Sequence, residues 1–153
     1  MTHDLTTIVR DCSFTEAPRW HDGRLWFSDF YTCLVQSVAE DGSDLRVEAE
    51  VPGQPSGLGW LPDGRLLIVS QLDQRLVRRE PDGSLVTHAE LGHLVGGHLN
   101  DMVVDDEGRA YVGNFGFDLM SGEPVTSTVL VRVDPDGTAT PVADDLWFRT
   151  ARL

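Results

Sequence analysis

The sequence contains no lysine; all 12 basic residues are arginine. Arginine's fixed charge and planar fork give no physical reason to exclude lysine from a surface. Arginine codons of the CGN type are GC-rich and lysine codons AT-rich, so the gene reads as one from a GC-rich bacterium. There are only two cysteines, Cys12 and Cys33, with no CxxC spacing. That excludes a disulfide framework and a thiolate zinc site, and the two are read as reduced thiols filling core positions. No apolar run approaches the ~20 residues needed to cross a bilayer. The opening "MTHDLTTIVRDC" has no basic region followed by an apolar run, so no signal peptide is read. A cytoplasmic protein is expected, with no membrane partner. Positive charge is scarce: 25 acidic residues against 12 basic leave a formal net charge of −13. Such a chain repels nucleic acid and anionic membranes and suits cations. No amphipathic helix is found.

What is present is a repeat. "APRWHDGRLWFSD" from Ala17, "GLGWLPDGRLLIVSQ" from Gly57 and "MVVDDEGRAYVGNF" from Met102 each place a short apolar run, an acidic-Gly-Arg turn and a second apolar run in order. The turn glycines Gly23, Gly64 and Gly108 are spaced 41 and 44 residues apart. A second Asp-Gly turn follows each, at Asp41-Gly42, Asp82-Gly83 and Asp136-Gly137. Asp-Gly is a strong hairpin signal, because glycine supplies the positive φ the turn demands.

The flanking runs are rich in Val, Leu, Trp, Tyr and Phe, which favours strands. Third strands are read at 34–38, 75–79 and 129–133, and fourth strands in "LRVEA", "LVTHA" and "TATPVA". Four strands per unit at a period of ~40–45 residues is the signature of a β-propeller blade. The expected fold is therefore all-β, with one partial propeller domain over 1–153. It divides into blade 1 at 17–52, blade 2 at 55–90 and blade 3 at 99–143. Blade 3 carries an insertion of about ten residues within 115–128. Residues 6–12 read as one more strand before the first blade. The tryptophans at 20, 26, 60 and 147 are read as blade packing rather than a ligand cage.

In combination, "FTEAPRW", "PSGLGWLPDGRLLI" and "HLNDMVVDDEGRAYVGNFGFD" resemble the family of senescence marker protein (regucalcin), gluconolactonase and luciferin-regenerating enzyme. The resemblance runs from about residue 11 to about residue 148. It implies three blades of a six-bladed propeller roughly twice this length. It also implies a divalent cation (Ca²⁺, Zn²⁺, Mn²⁺ or Mg²⁺) in the central channel and hydrolysis of a small-molecule lactone or related ester.

Carried over residue by residue, Glu16 in "TEAPRW" matches the family's first metal ligand. Asn100 and Asp101 in "HLND" match its substrate segment, in which His98 stands where the family has arginine. Asn114 in "VGNFGFD" ends the second strand of blade 3 and is a substrate contact on this reading; Asp29 and Gln71 are taken as its equivalents in blades 1 and 2. Asp118 is read as reaching the channel from the insertion. No catalytic residue is assigned within the chain, because the resemblance places the general base, an aspartate, in the second half of the ring.

That second half opens in the family with a segment like "DDLxFPNG", whose asparagine is a further metal ligand. Here "DDLWF" (144–148) is followed by "RTARL". With assumed codons CCG AAC GGC TCG, loss of one C gives Arg-Thr-Ala-Arg, as at 149–152. A one-base frameshift after Phe148 is the expectation, with 149–153 out of frame; a naturally short protein is the competing one. On either, the chain by itself is expected to be inactive. The alternative function is a half-propeller binding module that self-associates through exposed blade edges.

Overall fold

The computed structural model describes residues 5–118 and 121–147. They form three four-stranded antiparallel sheets and no helix. The first sheet runs β1 (Thr15–His21), β2 (Arg24–Asp29), β3 (Leu34–Ala39) and β4 (Arg46–Glu50). The second runs β5 (Pro55–Trp60), β6 (Leu66–Ser70), β7 (Arg75–Arg79) and β8 (Leu85–Glu90). The third runs β9 (Leu99–Val104), β10 (Ala110–Asn114), β11 (Ser127–Val133) and β12 (Ala139–Trp147). Within each sheet spatial order follows chain order, as in a propeller blade. The architecture is a β-propeller arc of three blades. The runs read as third strands are β3, β7 and β11.

Turn chemistry sets the registers. Asp22 and Gly23 both have positive φ (47° and 72°), the pattern of a type I′ two-residue hairpin. The other Asp-Gly turns are one step longer. In them the aspartate accepts a nearby backbone N–H: Asp63 from Arg65, Asp82 from Ser84, Asp136 from Thr138.

The blades hold together by burying both faces of the middle sheet. Side chains alternate along a strand, so Leu66 and Ile68 of β6 join Val35, Ala49 and Leu58 between blades 1 and 2. Leu67 and Val69 join Leu76, Met102, Val112 and Val131 between blades 2 and 3. That explains why "LLIVS" is wholly buried. Each fully buried Leu or Ile stabilises the arc by about 1.5–3 kcal/mol. Trp26 and Trp60 pack on the first of these clusters. Trp20 and Trp147 do not: they are 58% and 57% exposed, which corrects the reading of all four as packing residues.

The first strands of the blades, β1, β5 and β9, lie against one another and form the inner wall. Two glycines allow this. A Cβ on Gly57 would lie 2.5 Å from the Met102 amide nitrogen, and one on Gly59 would lie 2.4 Å from Val104 Cγ2. A side chain at either position would push β9 off β5.

Residues 6–12 are not a strand. The segment folds over the outer face of blade 1, with the Ile8 carbonyl against Gly42. Between them lies a cavity of about 340 Å³ whose lining includes Ile8, Val9, Cys12, Glu16, Leu25 and Phe27. Blade 1 therefore has a partly covered end. Among the described residues blade 3 has no such cover: on the face opposite its packed side Val103 is 62% exposed. The cysteines are only partly buried and neither belongs to a core cluster, which corrects their reading as core residues. Phe148 and the tail at 149–153 lie outside the described residues.

Candidate functional site

Each inner strand carries a bulge just after its start. The ladder shifts between Glu16 and Arg19 in β1 and between Pro55 and Leu58 in β5. In β9 it shifts between Leu99 and Met102, opposite Asn114 and Val112. A bulge unpairs residues and re-aims their side chains. In blades 2 and 3 the second strand residue, Ser56 or Asn100, falls within this irregularity; in blade 1 it is Glu16, which still pairs with Ser28 and immediately precedes the shift.

They share a location and differ in chemistry. The Ser56 hydroxyl, 1% exposed as a residue, donates to Glu16 Oε2 at 2.7 Å. The Ser56 carbonyl accepts from the Ser28 hydroxyl at 2.6 Å. Glu16 is thus held at the start of blade 1, with Oε1 uncommitted among the described residues. The Asn100 side chain is partly exposed. Neither its oxygen nor its nitrogen is engaged by a described residue. His98 lies two residues before it, partly exposed, with its carbonyl accepting from the Phe115 amide at 3.0 Å and its ring unengaged.

Asp101 is engaged. Its Oδ1 accepts from Arg19 Nη2 at 2.6 Å and from the Met102 amide at 2.8 Å. Arg19 Nη2 also donates to the Met102 carbonyl at 2.9 Å. This ion pair runs from β1 to β9 past the glycines of β5, and it ties blade 1 to blade 3. Sequence reasoning missed it, as it missed the Ser56 support of Glu16. Partners 82 residues apart carry no local signal.

Asn114 belongs to a different row. It is 5% exposed; its Nδ2 donates to the Val129 carbonyl at 2.8 Å, and its Oδ1 accepts from the Gly116 amide and the Thr128 hydroxyl. It closes its own blade, and the geometry gives it no free acceptor to turn toward a ligand. The ladder pairs Leu99 with Asn114, Pro55 with Ser70 and Thr15 with Asp29. The blade 2 equivalent is therefore Ser70, not Gln71.

Asp29 is 2% exposed and accepts from the amides of Ser13 and Phe14. Burial alone would raise its carboxyl pKa; the bonds from the Phe14 and Ser13 amides outweigh this and hold it below the ordinary 3.8. In the insertion, Asp118 Oδ1 accepts from the Ser121 amide, and the Asp118 amide donates to Glu123 at 2.8 Å. Asp118 therefore shapes its own loop.

Glu16 and Asn100 fit a divalent cation in kind, since carboxylate and amide oxygens are hard donors. In number they are short of a complete shell. Among the described residues no group of three His, Cys, Asp or Glu side chains is placed to hold an ion.

Known structures repeat the arc. The gluconolactonase of Xanthomonas campestris superposes with a TM-score of 0.72 at 22% identity, over 90% of this chain and 50% of its own. A calcium-binding protein, regucalcin, from Agrobacterium tumefaciens gives 0.68 at 24%, over 88% and 44%. A luciferin-regenerating enzyme gives 0.70 at 17%, over 90% and 48%. At these identities the likeness is one of fold. The chain spans about half the length of the solved relatives it matches. No curated protein matches its sequence. Residues 14–151 match the SMP-30/Gluconolactonase/LRE-like region, and the chain belongs to that family.

Proposed function

We propose that these three blades are the half of a lactone-hydrolase channel that carries its first metal ligand and part of its substrate wall. The observation that supports this most is Glu16. A carboxylate fixed by a buried serine, with one oxygen uncommitted, is arranged to meet something other than protein. Asn100, at the equivalent position of blade 3, supplies an amide to the same wall, and His98 supplies one further donor or acceptor. Asp101 acts from within its pair with Arg19. Asn114 holds blade 3 together. A bound divalent cation would supply a Lewis acid for a lactone or ester carbonyl. Glu16 would hold it; Asn100 and His98 would orient the ring. The remaining ligands and the general base are not among these residues, so the three blades alone do not turn over.

Calorimetry with Ca²⁺, Mn²⁺ and Zn²⁺ tests the reading, with a lactone assay run beside it. Weak cation binding is expected, lost in Glu16→Gln, with no metal-dependent hydrolysis above background. Unchanged cation affinity in Glu16→Gln would remove Glu16 from the site. Metal-dependent turnover by a monomer would show that a ligand set exists which the geometry does not reveal.

A second reading is a self-associating binding module without catalysis. The open face of blade 3 favours it, because exposed apolar sheet surface drives pairing. Size-exclusion chromatography separates the two: a discrete inactive dimer supports the module.

A further inference from the structure

Arg19 is the only arginine or lysine on the three inner strands. Its Nη2 is committed to Asp101 and the Met102 carbonyl, and its Nη1 donates to the Pro18 carbonyl at 3.0 Å. The Nε–H and one Nη1–H have no partner among the described residues. On the other side of the pair, Asp101 Oδ1 takes the bonds from Arg19 and the Met102 amide, and Oδ2 accepts none from the described residues. The pair is open to solvent, with side chains 29% and 54% exposed. In the sequence Glu16 precedes Arg19 by three residues, and Asn100 adjoins Asp101.

A guanidinium closed on a carboxylate is nearly neutral as a unit, so this is a poor seat for an anion. It presents N–H donors next to a carboxylate acceptor. A hydroxyl group both donates and accepts, and neighbouring hydroxyls on one ring match that alternation. We infer that Arg19, closed on Asp101, is a specificity-determining residue that recognises the hydroxyl groups of a polyhydroxylated ligand. This rests on the proposal that the inner wall takes a lactone. The competing role is a simple tie between blades 1 and 3. That role needs only a cation at position 19, whereas recognition needs the extra N–H groups.

The two are separated with the chain as it stands. D-galactono-γ-lactone and the hydroxyl-free γ-butyrolactone are titrated against wild type and Arg19→Lys, following backbone, asparagine side-chain and arginine Nε–H signals by NMR. In wild type the Arg19 Nε–H signal should move with the hydroxylated lactone and stay with γ-butyrolactone. Arg19→Lys keeps the charge on Asp101 and should lower affinity for the hydroxylated lactone about tenfold, the effect of one lost charge-assisted hydrogen bond, and leave γ-butyrolactone binding unchanged. Equal losses for both lactones, or none, would overturn the inference. If Asn100 signals respond while Arg19 stays still, Arg19 is only a tie and the lactone site stands. If neither lactone moves either residue, both ideas fall. Should Arg19→Lys not fold, the wild-type Nε–H response decides alone.

Discussion

Two rows of polar residues run around the arc, one residue out of step. Glu16, Ser56 and Asn100 occupy the second position of each inner strand. Asp29, Ser70 and Asn114 end the strands paired with them. All three of the second row are nearly inaccessible, at 2%, 1% and 5%, and Asp29 and Asn114 are bonded to backbone of the neighbouring loops. In the first row, Glu16 and Asn100 keep uncommitted atoms. The rows look alike in sequence, each a polar residue at the edge of an apolar run. A buried polar group must be satisfied by its surroundings, so the second row, together with the equally buried Ser56, is tied to folding, while Glu16 and Asn100 keep atoms free of it.

Breaking the second row should cost most. Asp29→Ala removes the acceptor for two amides and should destabilise the protein by about 2–3 kcal/mol, with loss of hydrogen-exchange protection at Ser13 and Phe14. Asn114→Ala should cost about 1–3 kcal/mol in chemical denaturation and loosen the loop at Gly116. Acid should reproduce part of the Asp29 effect. Its folded pKa lies below the unfolded value, so its stabilisation is fully present above about 4 and is lost as pH falls through the folded value. A melting series from pH 5 to pH 2 should show Asp29→Asn less acid-sensitive than wild type.

His88 sharpens the comparison in a third place. Burial, then the neighbouring Arg78, holds its pKa below the ordinary 6.5. Neutral His88 therefore stabilises the contact of blades 2 and 3 above about 6.5, and this is lost as pH falls through the folded value. The wild-type loss on acidification just below neutrality should be smaller in His88→Gln.

Changes in the first row should be the mildest for the fold. Glu16→Gln and Asn100→Ala should each shift stability by no more than about 0.5 kcal/mol. Glu16→Gln should abolish cation binding all the same. A large stability loss in either would merge the two rows and remove the distinction.

Much of this arc was legible in the sequence, since Asp-Gly turns and short β-rich runs carry their own local physics. The inner strands were legible too, and "TEAPRW", "PSGLGW" and "LNDMVV" align once the bulges are known. What escaped depended on partners. Arg19 and Asp101 meet only when β1 and β9 approach the same stretch of β5. The reading of Gln71 misses the true equivalent, Ser70, by one residue, because composition does not fix a strand end to one residue. Asn114 matched a family pattern, yet its amide was already consumed by Val129, Gly116 and Thr128. Residues 6–12 looked like a strand but found no ladder, and they lie instead over the apolar face of blade 1.

The repeated bulge on the inner strands has a further use. It separates the position that meets the channel from the alternation that builds the core. The same backbone irregularity carries a carboxylate in one blade, a hydroxyl in the next and an amide in the third. Each is in effect an interchangeable socket, addressed by blade number. A designer could rewrite Asn100 by itself, and Glu16 and Ser56 as a hydrogen-bonded couple, without repacking a single apolar side chain.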